Sequence, residues 1–155
     1  MNIFILDIDP TYAAIYHCDR HVVKMILESA QILSTVANKY SGYQIGKYKS
    51  THVKHPCVLW ASESLSNWRW LKVLATELHK EYRHRYGNGK THKAYEVIQS
   101  LPEPAMPDIG LTPFVLAMPD EFKSKDPVES YRAYYMGAKR HIAKWKNRSI
   151  PYWFK

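Results

Sequence analysis

The sequence predicts a mainly α protein: a single compact domain over residues 1–155, with three long helices near 10–38, 57–86 and 127–146, a short N-terminal strand or extended arm, and long loops. Three observations predict it. Proline opens a helix three times, in Asp9-Pro10, His55-Pro56 and Asp126-Pro127; at a first helical position the missing N–H has no partner to lose. Apolar residues behind each start recur at steps of three and four. The chain is 46% hydrophobic and 14% aromatic, enough to bury a sizeable core at this length.

In chain order, Asn2 to Asp7 (NIFILD) is the strand or arm, short and rich in β-forming residues. The first helix follows Asp9-Pro10, with a kink expected near Cys18 to Arg20. It carries the most informative stretch, His17 to Gln31. At about 100° per residue, His17, His21, Lys24, Glu28 and Gln31 fall within about 80° of one another. Most of the remaining surface is apolar, including Val22, Met25, Ile26, Leu27 and Ala30. A helix apolar nearly all round is buried, and buried His, Lys and Glu need partners. The stripe therefore reads as the wall of a site. The competing reading is a solvated face in which Lys24 and Glu28 form an i,i+4 pair.

Tyr40 to Pro56 loses the helical period. Three tyrosines interleave there with Lys47, Lys49, His52, Lys54 and His55. That mixture suits phosphates and stacked bases; a tyrosine-rich surface loop is the plainer alternative. The second helix runs to Tyr86 and is stopped by Gly87 and Gly89. A shorter helix follows over Thr91 to Leu101. Pro102 to Lys125 holds five prolines and is a long loop, whose middle, Leu111 to Met118, is apolar enough to pack on the body. Met118-Pro119-Asp120-Glu121 either brings two carboxylates to a site rim or forms a solvated turn. Asp126-Pro127-Val128-Glu129 is a strong helix start. The third helix puts Arg132, Tyr135 and Lys139 on one face and ends in a basic cluster reaching Arg148. The aromatic tail SIPYWFK is either pinned in the core or set against a ligand.

The formal charge is +8, from 22 Lys+Arg against 14 Asp+Glu, which points to an anionic partner, DNA or a nucleotide. Cys18 and Cys57 make no disulfide framework and fit buried thiols of a reducing cytoplasm. No signal-peptide pattern opens the sequence and no stretch approaches a membrane span. Glycine-rich phosphate loops, Gly-x-Ser-x-Gly and Cys-x-x-Cys are missing. His17/His21 and His52/His55 have spacings compatible with zinc, but the acidic base of a His-Glu-x-x-His site is missing. The expectation is no metal and no cofactor. Lys24 and Glu28 can act without one: a neutral amine attacks a sugar carbon to form an imine while a carboxyl group manages the proton. His17, His21 and Gln31 would orient the ligand.

On these residues the layout resembles the small helical pyrimidine dimer DNA glycosylases of the phage endonuclease V type. The matching pieces are the first helix bearing Glu28, the start Lys54-His55-Pro56, and the tail Arg148-Ser149-Ile150-Pro151-Tyr152-Trp153. The resemblance implies glycosylase and abasic-site lyase action on damaged or modified pyrimidines, with Glu28 as the catalytic carboxylate. It also implies an N-terminal amine nucleophile exposed by Met removal. Here residue 2 is Asn, a poor residue for that removal, which leaves Lys24 or the Met1 amine as nucleophile. His17 to Met25 also resembles a stretch of small phage-encoded proteins; the cytoplasm would then be that of the host. The rival class is a non-catalytic phage protein that captures a small anionic nucleotide as an immune-signal sponge. The oligomeric state is left open.

Overall fold

The computed structural model describes residues 1–155 as helices and connecting segments, with no strand. The helices are α1 (Pro10–Tyr16), α2 (Asp19–Ser41), α3 (Pro56–Glu63), α4 (Leu65–Tyr86), α5 (Lys93–Ser100) and α6 (Pro127–Ala138). Two 3₁₀ turns, Asp120–Phe122 and Arg140–Ile142, complete the set. α2 lies along α4 at the centre. α1 packs on α4, α5 on α2, and α3 in the angle between α2 and α4. The buried apolar cluster draws on the N-terminal arm, all six helices and the tail.

The caps behave as their residue types dictate. Asp9 accepts from the Thr11 N–H at 2.9 Å, and Asp126 accepts from Val128 and Glu129. His55 and His92 cap α3 and α5 through Nδ1. Gly42 ends α2 at φ 78°, a left-handed position that L side chains avoid.

Three expected elements need correction. The first helix is broken at His17 and Cys18. There the Ile15 and His17 carbonyls accept from the Arg85 guanidinium of α4, at 2.9 and 2.7 Å. The Trp145 indole N–H donates to the Tyr16 carbonyl at 2.9 Å. Three carbonyls that a continuing helix would have used internally thus have partners from distant segments. The second helix is broken at Ser64. Asp108, from the proline-rich loop, accepts from the Ser64 hydroxyl and from both the N–H and the hydroxyl of Ser66, capping α4 from outside. The third helix stops at Ala138 instead of running to Lys146. Phe122 lies so close to Gly137 that any Cβ there would run into its ring. Two helices, not three, are therefore long: α2 with 23 residues and α4 with 22.

The start of the chain is an extended arm. Ile3, Phe4, Ile5 and Leu6 are all buried, but they lie against helices and have no neighbouring strand. Leu111 to Met118 packs on the body through Phe114, Val115, Leu116 and Met118, as its composition predicts. Asp120 is 96% exposed and pairs with Lys123, so the nearby carboxylates form the solvated turn.

Arg85 holds the α1–α2 break and is fully buried, paired with Glu81 at 3.0 Å and Asp19 at 3.1 Å. Arg85→Met should destabilise the protein by about 3–5 kcal/mol, because it leaves buried acceptors unpaired. Arg85→Lys should recover little of this, since one ammonium cannot span the same acceptors. Urea denaturation monitored by tryptophan fluorescence measures both.

Candidate active site

The polar stripe of α2 is the track on which the arm lies. The Met1 α-amino nitrogen sits 3.0 Å from Glu28 Oε1. Phe4 stacks on His21 with centroids 4.4 Å apart and meets His17 edge-on. Arg132 donates to the Leu6 carbonyl at 3.0 Å and pairs with Asp7. The arm thus runs antiparallel to α2. The register is set by length: three extended residues cover about 10 Å, and the seven helical residues from His21 to Glu28 rise about 10.5 Å. The Met1 amine and the Phe4 ring therefore meet Glu28 and His21 without stretching either element.

Asn2 fixes the residue behind the amine. Its amide donates to the Ala117 carbonyl at 2.9 Å, and its Oδ1 accepts from the Ile3 N–H at 2.7 Å. The Cys57 thiol also reaches Oδ1, at 3.6 Å. The Met1 side chain is only 2% exposed while the residue as a whole is half-buried, so its exposure lies on the main chain, where the amine is. Glu28 is buried, and its Oε2 has no hydrogen-bond partner. Lys24 brings its ammonium to 3.8 Å from that oxygen but is itself 63% exposed. The pair is therefore an amine held against a buried carboxylate, one of whose oxygens has no hydrogen-bond partner.

Around the pair the groups are held neutral. Burial pushes the Cys57 thiol up to about 11. His55 is lowered, by burial first and then by the Met1 amine. Its Nδ1 accepts from the Cys57 N–H at 3.1 Å, which leaves the proton of the neutral ring on Nε2. Tyr135 accepts from the Cys18 N–H at 3.3 Å, so its own hydroxyl donates to His21 Nδ1 at 2.7 Å. Burial lowers His21 to about 3. His17 Nδ1 donates to the Ala13 carbonyl at 2.6 Å, and burial lowers this ring to about 4.

The sequence-predicted residues fall into three groups. Met1, Lys24, Glu28 and His55 come together, with Gln31 one turn beyond Glu28 on α2. His17, His21 and Tyr135 are turned into the core, where they seat Phe4. Arg132 and Arg148 are committed to internal partners: Arg132 to the arm, inside a ring of Tyr16, Tyr152 and Trp153, and Arg148 to Glu81. His52 and Lys54 are exposed on the loop, His52 at φ 50°, and Lys139 covers the Tyr134 ring at the end of α6. No three His, Cys, Asp or Glu side chains converge as a metal set. No helix is long and apolar enough to cross a membrane.

Two open basic clefts flank the pair along α2. One, of about 540 Å³, is lined by Arg20, Lys24, Tyr86, His141 and Lys144, with Asp19 as its one carboxylate. The other, of about 600 Å³, is lined by Gln31, Lys47, Tyr48, Lys49 and Thr51. Arg20 and His141 escaped the sequence reading because the fold assembles this cleft from α2 and the segment after α6; Lys144 belongs to the basic cluster expected ahead of Arg148. Asn2 escaped it because its role is visible only once Ala117 and Cys57 lie beside it.

The chain thus holds its own N-terminal amine against a carboxylate of α2, along which two clefts carry cationic side chains. The sequence model of the pyrimidine dimer DNA glycosylase family matches residues 1–94, more than half of the chain, and the chain belongs to that family. The matched part includes Met1, Lys24, Glu28 and His55. No curated protein and no solved structure matches the chain.

The two buried histidines generate a pH dependence. Their folded values, about 4 and about 3, lie below the ordinary 6.5. Below about pH 6.5 the unfolded chain takes up these protons and the folded one does not, so stability falls as pH falls. The melting temperature should drop steadily from pH 7 to pH 5 in scanning fluorimetry. His21→Gln keeps an acceptor for the Tyr135 hydroxyl but removes one titrating group, and should flatten that slope.

Proposed function

We propose that the protein is a DNA glycosylase with associated abasic-site lyase chemistry, acting on damaged or modified pyrimidines with the Met1 amine as nucleophile. The observation that carries this reading is the 3.0 Å approach of the α-amine to Glu28, with the free oxygen of that carboxylate buried beside it. The amine gives a proton to Glu28 and attacks C1′ of the damaged nucleotide. The C1′–N bond forms as the glycosidic bond breaks, and the base leaves with the bonding electrons and takes up a proton that the new secondary ammonium gives away. Glu28 returns its proton to the ring oxygen O4′ as the sugar opens, leaving a protonated imine between Met1 nitrogen and C1′. The carboxylate then removes a C2′ proton, and β-elimination expels the 3′-phosphate. Lys24 supplies positive charge at the rim, and His55 offers an Nε2–H donor beside the amine.

Among the alternatives for the nucleophile, burial and position favour Met1 over Lys24. The arm holds the amine against the carboxylate by four separate anchors, at Asn2, Phe4, Leu6 and Asp7. Lys24 is exposed on its own turn of helix and is set only by its pairing with Glu28.

Borohydride trapping on duplex DNA bearing an abasic site or a pyrimidine dimer tests this. Wild type should give a covalent crosslink whose adduct maps by mass spectrometry to Met1. Lys24→Ala should still crosslink. Glu28→Gln should keep the fold but lower turnover by about 10²–10⁴-fold, the usual worth of a positioned acid–base group. An added Gly-Ser ahead of Met1 should abolish trapping. A crosslink that survives the extension and is lost in Lys24→Ala would assign the chemistry to Lys24 instead.

A further inference from the structure

A further cavity lies between α4 and α5. It measures about 330 Å³ and shares no residue with either basic cleft along α2. That volume is at the low end for sites that take a small molecule. The start of α5 is fastened to α2 by the His92 Nε2–H, which donates to the Val23 carbonyl at 3.0 Å. Val23 lies about 140° around α2 from Glu28, so this is not the side on which the arm lies.

The most deeply set residue of the cavity is His79, only 7% exposed. Its ring lies flat on Tyr95, with centroids 4.0 Å apart. Its Nε2 accepts from the His92 N–H at 3.4 Å. Burial first, and then Arg83 and His92, lowers its pKa. The ring is therefore neutral, and its one proton sits on Nδ1. That nitrogen has no partner in the chain and is not sealed from solvent. A largely buried ring thus keeps a free donor at the cavity wall.

Two cations stand beside it. Arg83 is held by the Asn88 carbonyl, which accepts from its Nε at 2.8 Å and from its Nη2, and its Nη1 is left over. Lys80 supplies the second charge. Its partner Glu77, 2.9 Å away, lines a different cavity, and no carboxylate lines this one. Thr91 and Gln99 add a hydroxyl and an amide at the rim.

Donors that converge from several directions suit a tetrahedral anion. A carboxylate offers two oxygens in one plane; a phosphate monoester offers three around an apex. A monoester also carries about two negative charges near pH 7, which Lys80 and Arg83 balance. A diester has one charge and two free oxygens, and its chain must leave the cavity on both sides. We propose that this cavity binds a phosphate monoester, gripped by Arg83 and Lys80, with the His79 Nδ1–H and Gln99 completing the shell. The site stands independently of the glycosylase reading.

NMR titration of the full chain with thymidine 5′-monophosphate tests this, read at the Gln99 side-chain amide and the Tyr95 ring. Both signals should shift and saturate. His79→Phe keeps the stack on Tyr95 but loses the donor, and should weaken binding about tenfold. Lys80→Gln changes an exposed helix position that leaves the fold intact, and should weaken it by a similar factor. The dinucleotide TpT, whose phosphate is a diester, should bind at least tenfold more weakly than the monophosphate. Signals that do not move, or an affinity unchanged in Lys80→Gln, overturn the site. Equal binding of TpT overturns the assignment to a monoester.

Discussion

The contact between the Met1 amine and Glu28 is the constraint on which the rest depends. An ion pair this close to the core is stable only when both charges are held and neither loses its partner. The arm supplies the holding. Phe4 must sit flat on His21, so His21 must stay neutral, so Tyr135 must donate to it. Tyr135 in turn must accept from the Cys18 N–H, which requires α1 to have ended just before. The broken first helix, the buried histidines and the third helix are consequences of seating one extended segment in one register.

A second layer of polar bonds keeps that register from slipping. Arg85 gathers the open carbonyls where α1 ends, and Glu81 joins it to Arg148 near the tail. Arg132 closes the far end of the arm at Leu6 and Asp7. These are buried guanidiniums with several acceptors each, a use for which lysine's single ammonium is poorly shaped. Three of the 22 cationic residues, Arg85, Arg132 and Arg148, are therefore committed to internal partners. Five of the other cations, Arg20, Lys24, Lys47, Lys49 and Lys144, line the two clefts on α2.

This division explains what the sequence made legible. The starts Asp9-Pro10, His55-Pro56 and Asp126-Pro127 are local signals, complete within a few residues, and each opens a helix where expected. The breaks at Cys18 and Ser64 are not local. One is made by Arg85, more than 60 residues away, and the other by Asp108, more than 40 residues away. Helical periodicity runs straight through Ser64, and near Cys18 to Arg20 the sequence marks a kink but not the partner that makes it a break. The stripe on α2 was readable as a wall because polar residues there broke an apolar pattern. Its occupant was not readable, since nothing in NIFILD announces that an extended segment will lie on a helix instead of pairing in a sheet. Arg132 and Arg148 looked like ligand-binding residues for the same reason: a sequence shows a charge but not whether a carbonyl or a carboxylate of the same chain has already taken it.

The clamp at Arg132 ties the two ends of the polypeptide together. Tyr152 and Trp153 ring the guanidinium that grips Leu6 and Asp7. During synthesis the arm leaves the ribosome first, and the residues that complete its seat leave among the last. The seat of the arm is therefore complete only once the last residues of the chain have closed over Arg132.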